Sequence, residues 1–373
     1  MADPTTSPPL TRPSVVAAHA LIKHYVHRTP VLTNSYINDL ASTPQSVSTL
    51  EGTRWEGRTA AKPKLRLWFK CENFQKIGAF KARGAFHAIE RLKREPGWED
   101  GGGRGRGVVT HSSGNHAQAL SLAARTNNIK AYIVMPTISA PPKIAATRDY
   151  GAEIIFSGST SVEREAVTEQ VIADTGARLV PPYDHPDIVL GQGTLGLELQ
   201  EQVVELLGGS GSKKGLDAII APCGGGGMLS GVALSAEGTG IKVFGSEPEF
   251  GGADDGMRGY YSGERVEKVS SLTIADGLRT PVGKVPWGII YERKLVSGFY
   301  NVTEEEIKRA LRLVYERMKI VVEPSAVVPL AVALYNEDFR GMVEREAGEE
   351  GWDLGVVFSG GNVELGALGK LFE

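Results

Sequence analysis

The sequence predicts an α/β protein built as two three-layer α/β/α domains with mostly parallel sheets. Three observations carry this expectation. From Val108 to about Leu234, short apolar runs alternate with helix-period segments, the rhythm of parallel strands joined by crossover helices. Three glycine-bearing turns each follow an apolar run and precede a helical pattern: His111–His116, Gly224–Gly227 and Ser359–Asn362. The length, 373 residues, is more than one hydrophobic core usually serves. Strand runs that are apolar throughout need cover on both faces, hence three layers. Ligands of such folds bind beyond the carboxyl ends of the strands, where all three turns stand.

Taken in order, the first residues, 1–10, carry Thr, Ser and Pro and read as a disordered tail. Ser42–Lys64 mixes Ser, Thr, Gly, Pro and charge without a sustained period, and Arg94–Arg106 is interrupted by glycines; both read as surface loops. Gly107–Thr110 reads as strand and Ala117–Asn127 as helix, then Ala131–Met135 as strand and Pro142–Asp149 as helix. Ala152–Phe156 and Val162–Thr175 repeat the unit. Further on, Thr303–Met318 reads as a helix that Thr303 caps and Glu306 closes into a capping box. The expected division is a large domain from 11–106 and 187–373, with a smaller domain from 107–186 inserted in it.

Composition narrows the function. A hydrophobic content of 41% and a charged content of 23% suit a globular protein in water. A net charge of -3 gives no reason to expect nucleic acid or a membrane surface as partner. Two cysteines, Cys71 and Cys223, stand far apart without metal-ligand spacing, which argues against a disulfide framework and fits a reducing, cytoplasmic setting. No apolar stretch is long enough to span a bilayer, and the N-terminus lacks the pattern of a secretory signal.

The chemistry lies in the turns and in one lysine-rich segment. Four glycines between a buried-type strand and a helix cost backbone entropy, and close approach to a phosphate explains them. The dinucleotide fingerprint fails, because Leu229 stands where that pattern wants glycine. Lys70, Lys76 and Lys81 are equally available as an amine nucleophile. One amine with several anion cradles suggests a phosphate-bearing carbonyl cofactor held as a Schiff base, and pyridoxal 5'-phosphate fits. The turn Ser112–His116 can hold a carboxylate, with an ordinary helix cap as the alternative.

Asn73-Phe74-Gln75-Lys76-Ile77-Gly78-Ala79-Phe80-Lys81-Ala82-Arg83-Gly84-Ala85 resembles the lysine motif of the serine racemase and threonine dehydratase group. That group belongs to the tryptophan-synthase-β-like, fold type II, pyridoxal phosphate enzymes. Ser112–His116, Gly191–Thr194, Gly224–Met228, Thr273–Gly277 and Ser359–Asn362 resemble its other blocks in the same order. The likeness covers roughly residues 12–370. It implies a cofactor in the cleft between the two domains. Lys81 would be the Schiff-base lysine and Phe80 would lie against the pyridine ring. The main chain of Gly224, Gly225, Gly226, Gly227 and Met228 would hold the phosphate. Asn115 would bond the phenolic oxygen, Ser359 would face the pyridine nitrogen, and Glu323 would stand near the ring. Ser113 would act on the face opposite Lys81. Ser112, Ser113, Asn115 and His116 would receive the substrate carboxylate, and Arg164 would contact the substrate side chain.

The resemblance therefore implies a serine/threonine ammonia-lyase that acts on small β-hydroxy amino acids, with serine racemisation alongside, in a homodimer. A close alternative is 3-hydroxyaspartate dehydratase; one of another class is a non-catalytic cofactor- or nucleotide-binding protein. The family's divalent-cation block is longer here: Glu247, Ala253 and Asp255 are the expected ligands for Mg²⁺ or Ca²⁺, with a solvated acidic loop as the alternative. Tyr183 and Thr280 stand where the animal racemases have Asn and Ser.

Overall fold

A computed structural model describes residues 3–139, 141–208 and 215–372, without the side chains of Pro142 and Ser161. Its ten strands are β1 (Val31–Leu32), β2 (Leu65–Cys71), β3 (Val108–His111), β4 (Ala131–Pro136), β5 (Glu153–Ser157), β6 (Arg178–Leu179), β7 (Ala218–Pro222), β8 (Lys242–Pro248), β9 (Gly298–Val302) and β10 (Trp352–Phe358). They form a six-stranded sheet, β1-β2-β10-β7-β8-β9, and a four-stranded sheet, β5-β4-β3-β6. Every pairing is parallel except β1 with β2.

The larger sheet is covered on both faces, and side chains alternate between them with the strand period of two. Leu67, Phe69, Ile220, Leu354 and Val356 pack into one core with the helix Pro324–Tyr335. Trp68, Ile219, Ala221, Val243 and Val357 pack into another with the helices Pro186–Leu206 and Gly227–Ala236. The smaller sheet is treated alike. Val108, Ile133 and Met135 face the helices Lys81–Lys93 and Asn115–Thr126, while Val109, Tyr132 and Val134 face the helix Ser161–Thr175. The helix Lys81–Lys93 also lies against Pro186–Leu206 so closely that a Cβ on Gly191 would come within 2.7 Å of the Gly84 Cα. It bridges the two sheets.

The alternating units fall where the sequence placed them, with ends moved by one or two residues. The helix expected at Ala117 begins at Asn115, which puts Asn115 in its first turn. The capping box of Thr303 and Glu306 is formed, and its helix Glu304–Leu313 passes into a wider-turned segment, Val314–Met318. The two expected surface loops are more tightly tied than their composition suggests. Ser42–Lys64 contains the short helix Val47–Leu50 and buries Trp55, whose Nε1 donates to Asp338 at 3.1 Å. Arg94–Arg106 contains a turn of helix, Gly103–Arg106, and buries Trp98. Of the expected tail, residues 1–2 lie outside the described residues. Residues 3–10 hold one 3-10 turn, and the Thr6 carbonyl accepts from Arg91 at 2.6 Å, so they are anchored there.

Candidate active site

The helix Lys81–Lys93 starts at the lysine itself, after a tight turn in which Ile77 has φ 61 and Gly78 φ 72. The end of β10 holds that start: the Phe80 N–H donates to the Ser359 carbonyl at 3.0 Å, and Ala79 forms an isolated bridge with Gly360. Lys81 Nζ donates to the Pro182 carbonyl at 2.7 Å and stands 5.1 Å from the centre of the Phe80 ring. Burial pulls its amine down to about 8, against the pull of the nearby Glu323 carboxylate. The other two lysines are engaged elsewhere. Lys70 is buried and donates to Glu198 and Gln202, each at 2.8 Å, and to the Thr29 carbonyl. Lys76 lies over the Phe86 ring. Of the three lysines, which composition left level, Lys81 is the one that stands against Pro182 beside the glycine turn.

Three side chains join the carboxyl end of the small sheet to that of the large one. Asn115 Nδ2 donates to both oxygens of Glu323 at 3.2 Å. Asn362 Nδ2 donates to Asn115 Oδ1 at 2.8 Å and to the Ile77 carbonyl at 2.7 Å. Burial pushes the Glu323 carboxyl up to about 7, and Asp276 adds to this while Asn115 opposes it. Ser359 is buried beside them, at the end of β10.

The tetraglycine turn leaves β7 and opens the helix Gly227–Ala236 with Gly226 at φ 81, so the N–H groups of the first helical turn stand at the strand end. Met228 is buried in the core, which leaves its backbone as the part available to a ligand. A Cβ on Gly225 would lie 2.3 Å from the Tyr183 ring, and one on Gly224 would lie 3.0 Å from the Gly277 carbonyl. Lys81, Pro182, Tyr183 and the glycine turn are thus one contiguous patch. Pro182 contributes only a backbone carbonyl, and no sequence signal marks that.

Ser112 and Ser113 are half-buried in the turn after β3, and Ser112 Oγ accepts from the Gly114 N–H at 3.4 Å. The His116 side chain is turned inward: Nε2 is 3.0 Å from the Val180 carbonyl, and burial holds its pKa down at about 3. What His116 offers a carboxylate is therefore its backbone N–H in the first helical turn. Arg164 Nη1 donates to the Ser159 carbonyl at 3.1 Å, and burial lowers the pKa of His111, next to Ser112, with Glu165 opposing this and Arg164 adding to it.

Behind the glycine turn, Glu247 and Asp255 are buried next to Cys223, and Val282, which donates to Asp255, precedes Gly283, whose N–H donates to the Gly225 carbonyl. Glu247 accepts from the Gly256 and Met257 N–H groups at 3.0 and 2.7 Å, and Asp255 Oδ2 from Val282 at 3.0 Å. Asp255 Oδ1 is buried without a partner. Burial raises both carboxyls, Asp255 to about 6. Ala253 is buried beside them in sequence. Among the described residues no three His, Cys, Asp or Glu side chains converge as a metal site.

A lysine amine stripped of part of its basicity, beside a helix-opening glycine turn that leaves no room for a side chain, fits a phosphorylated carbonyl compound. Fold and site together define an α/β enzyme that carries such a cofactor where two parallel sheets meet. The chain belongs to the pyridoxal-phosphate dependent enzyme family, whose pattern matches residues 54–347. It is 40% identical to the serine racemase of Dictyostelium discoideum over 368 residues, 98% of either chain. It is also 40% identical to the L-threo-3-hydroxyaspartate ammonia-lyase of Saccharomyces cerevisiae over 354 residues, 94% of this chain and 93% of that one. The crystal structure of the Dictyostelium serine racemase superimposes with a TM-score of 0.78 at 41% identity, over 95% of this chain and 99% of that one.

Proposed function

We propose that the protein is a pyridoxal-phosphate-dependent ammonia-lyase for serine and threonine that also racemises serine. The observation that carries this reading is the Lys81 amine, lowered to about 8 and held by the Pro182 carbonyl beside the glycine turn. In the net reaction the Cα–H and Cβ–O bonds of serine break and water leaves. The aminoacrylate so formed takes a proton at Cβ and hydrolyses to pyruvate and ammonia.

The cofactor, when bound, supplies the electron sink for loss of the Cα proton. Lys81 and Phe80 hold its ring end, and the main chain of Gly224, Gly225, Gly226, Gly227 and Met228 holds its phosphate. Asn115 donates to its phenolic oxygen, with Glu323 behind. Ser359 would offer a neutral hydroxyl to the ring nitrogen, where a carboxylate would enforce protonation, and this would suit loss of the β-hydroxyl. Lys81 moves the Cα proton on one face, and the Ser113 hydroxyl moves it on the other. Ser112, Asn115 and the His116 N–H receive the substrate carboxylate. A second reading, in which Arg164 meets a β-carboxylate as in a 3-hydroxyaspartate dehydratase, is supported by the 40% identity to the Saccharomyces L-threo-3-hydroxyaspartate ammonia-lyase.

Further parts of the reading concern the whole molecule. A divalent cation, Mg²⁺ or Ca²⁺, binds Glu247, Asp255 and the Ala253 carbonyl; the partnerless buried oxygen of Asp255 supports it. The chain divides into 11–106 with 187–373, and 107–186, with Lys81–Lys93 packed across the junction. It works as a cytoplasmic homodimer. Both cysteines are free and buried, and no helix among the described residues is long and apolar enough to cross a membrane.

Incubation of the purified protein with L-serine, L-threonine and L-threo-3-hydroxyaspartate tests the reading, with oxo acid and opposite enantiomer measured together. Oxo acid from serine or threonine is expected. Turnover of hydroxyaspartate alone would select the second reading, and no turnover of any of them would leave a cofactor-binding protein without this activity.

A further inference from the structure

Asn115 can present either its NH₂ or its oxygen to the site, and the two look alike in shape. Its partners decide between them. The chain of constraints starts at Ile77, a β-branched residue held at φ 61, where a side chain is strained. Its carbonyl can only accept. The Asn362 side-chain atom 2.7 Å from it must therefore be the nitrogen. The same nitrogen lies 2.8 Å from Asn115, so the Asn115 atom facing it must be the oxygen. The NH₂ of Asn115 is then left to face the Glu323 carboxylate, 3.2 Å from each oxygen, with one N–H to spare.

Asn362 Oδ1 packs against Gly78, where a Cβ would come within 2.8 Å of it, and the two residues before Asn362 are tied down by backbone bonds: the Gly361 N–H donates to the Gly78 carbonyl at 2.9 Å, and the Glu323 N–H donates to the Gly360 carbonyl at 3.0 Å. We infer that Asn362 is a positioning residue: oriented by the Ile77 carbonyl, it fixes the Asn115 amide with its NH₂ toward Glu323 and the cofactor's phenolic oxygen. This rests on the reading that Asn115 meets that oxygen. The arrangement ties the polarity of the oxygen's partner to the turn that launches Lys81.

A donor to the phenolic oxygen favours its anionic form, so loss of that donor raises the pH at which it releases its proton. The test is a spectrophotometric pH titration of the bound cofactor in the holoenzyme, comparing wild type with Asn115→Ala, Asn362→Asp, Asn362→Ala and the double variant Asn115→Ala/Asn362→Asp. Asn362→Asp forces an acceptor against the Ile77 carbonyl and turns the Asn115 NH₂ away from the site. The expected result is an upward shift of about one pH unit in each single variant, and no further shift in the double variant over Asn115→Ala.

A mere charge effect of the new carboxylate would persist without Asn115, so additive shifts overturn the inference. So do unshifted titrations at both Asn362 variants while Asn115→Ala shifts. An unshifted Asn115→Ala defeats the underlying reading of Asn115 instead, and the inference falls with it. Thermal melting verifies folding, and if Asn362→Asp does not fold, Asn362→Ala and its double with Asn115→Ala read the same quantity.

Discussion

At Lys81 the amine is held 2.7 Å from a carbonyl and its pKa is brought down to about 8, while Glu323, raised to about 7, stands near enough to oppose that shift. Burial thus moves the two pKa values toward each other, the amine downward and the carboxyl upward. The cofactor-loaded protein is expected to be yellow, and borohydride treatment followed by peptide mapping should find the reduced cofactor on Lys81; finding it on Lys70 or Lys76 would overturn the site. Ser113→Ala should damage racemisation of serine more than elimination from L-serine, by up to about 10²–10⁴-fold, because positioned proton transfer is worth that much. Equal loss of both would make Ser113 a substrate-positioning group. Glu323 gives a pH test. Its folded pKa of about 7 lies above the ordinary 4.5, so the folded state binds the extra proton between those values. Stability is therefore lost as pH rises through that window, by up to about 3 kcal/mol. In urea unfolding without added cofactor, Glu323→Gln should gain on wild type more at pH 8 than at pH 5. A gain equal at both would mean that ionised Glu323 is not strained by burial.

At the scale of elements, the helix bearing Lys81 is anchored by a buried ionic network. Arg83 pairs with Glu72 at 2.8 Å and Glu198 at 2.7 Å, and Lys70 also pairs with Glu198. These four groups are almost completely buried. They join β2, the helix Lys81–Lys93 and the helix Pro186–Leu206. Removing one partner leaves an uncompensated charge inside, so Arg83→Ala should destabilise the fold by about 3–5 kcal/mol in denaturant titrations. The glycine turn is constrained by space. Gly225→Ala would drive a methyl group into the Tyr183 ring, so weaker retention of the cofactor is expected on dialysis, along with a loss of about 1–3 kcal/mol. Gly114→Ala is the control for stability, because nothing lies within 4 Å of a Cβ there.

For the whole molecule, a response to divalent cations is expected. A ligand that binds only the folded state raises its stability by mass action. Thorough chelation should lower the melting temperature, Mg²⁺ or Ca²⁺ should restore it, and Asp255→Ala should abolish the response. Wild type indifferent to chelation would reduce Glu247 and Asp255 to a buried carboxyl pair that shares protons. The two sheets are also linked across the site by Lys143 and Asp276, 3.0 Å apart and well exposed. Such a pair is worth at most about 1 kcal/mol, so it does not by itself hold them together.

The α/β class, the parallel alternation and the places of the glycine turns were determined by the sequence alone, because strand period, helix period and backbone freedom are local properties. The capping box at Thr303 was legible for the same reason. So was the order of the motifs, which carried the family and the cofactor. Other features needed the tertiary structure. Trp55 secures an apparently polar loop through Asp338, and Tyr183 fills the space over Gly225, though both partners are remote in sequence. That Lys81 meets Pro182 while Lys70 meets Glu198 and Gln202, and that Asn115 meets Asn362 beside Ile77, was set by residues remote in sequence. Burial and hydrogen-bond polarity depend on which distant atoms come within 3 Å of each other, and only the folded chain brings those atoms together.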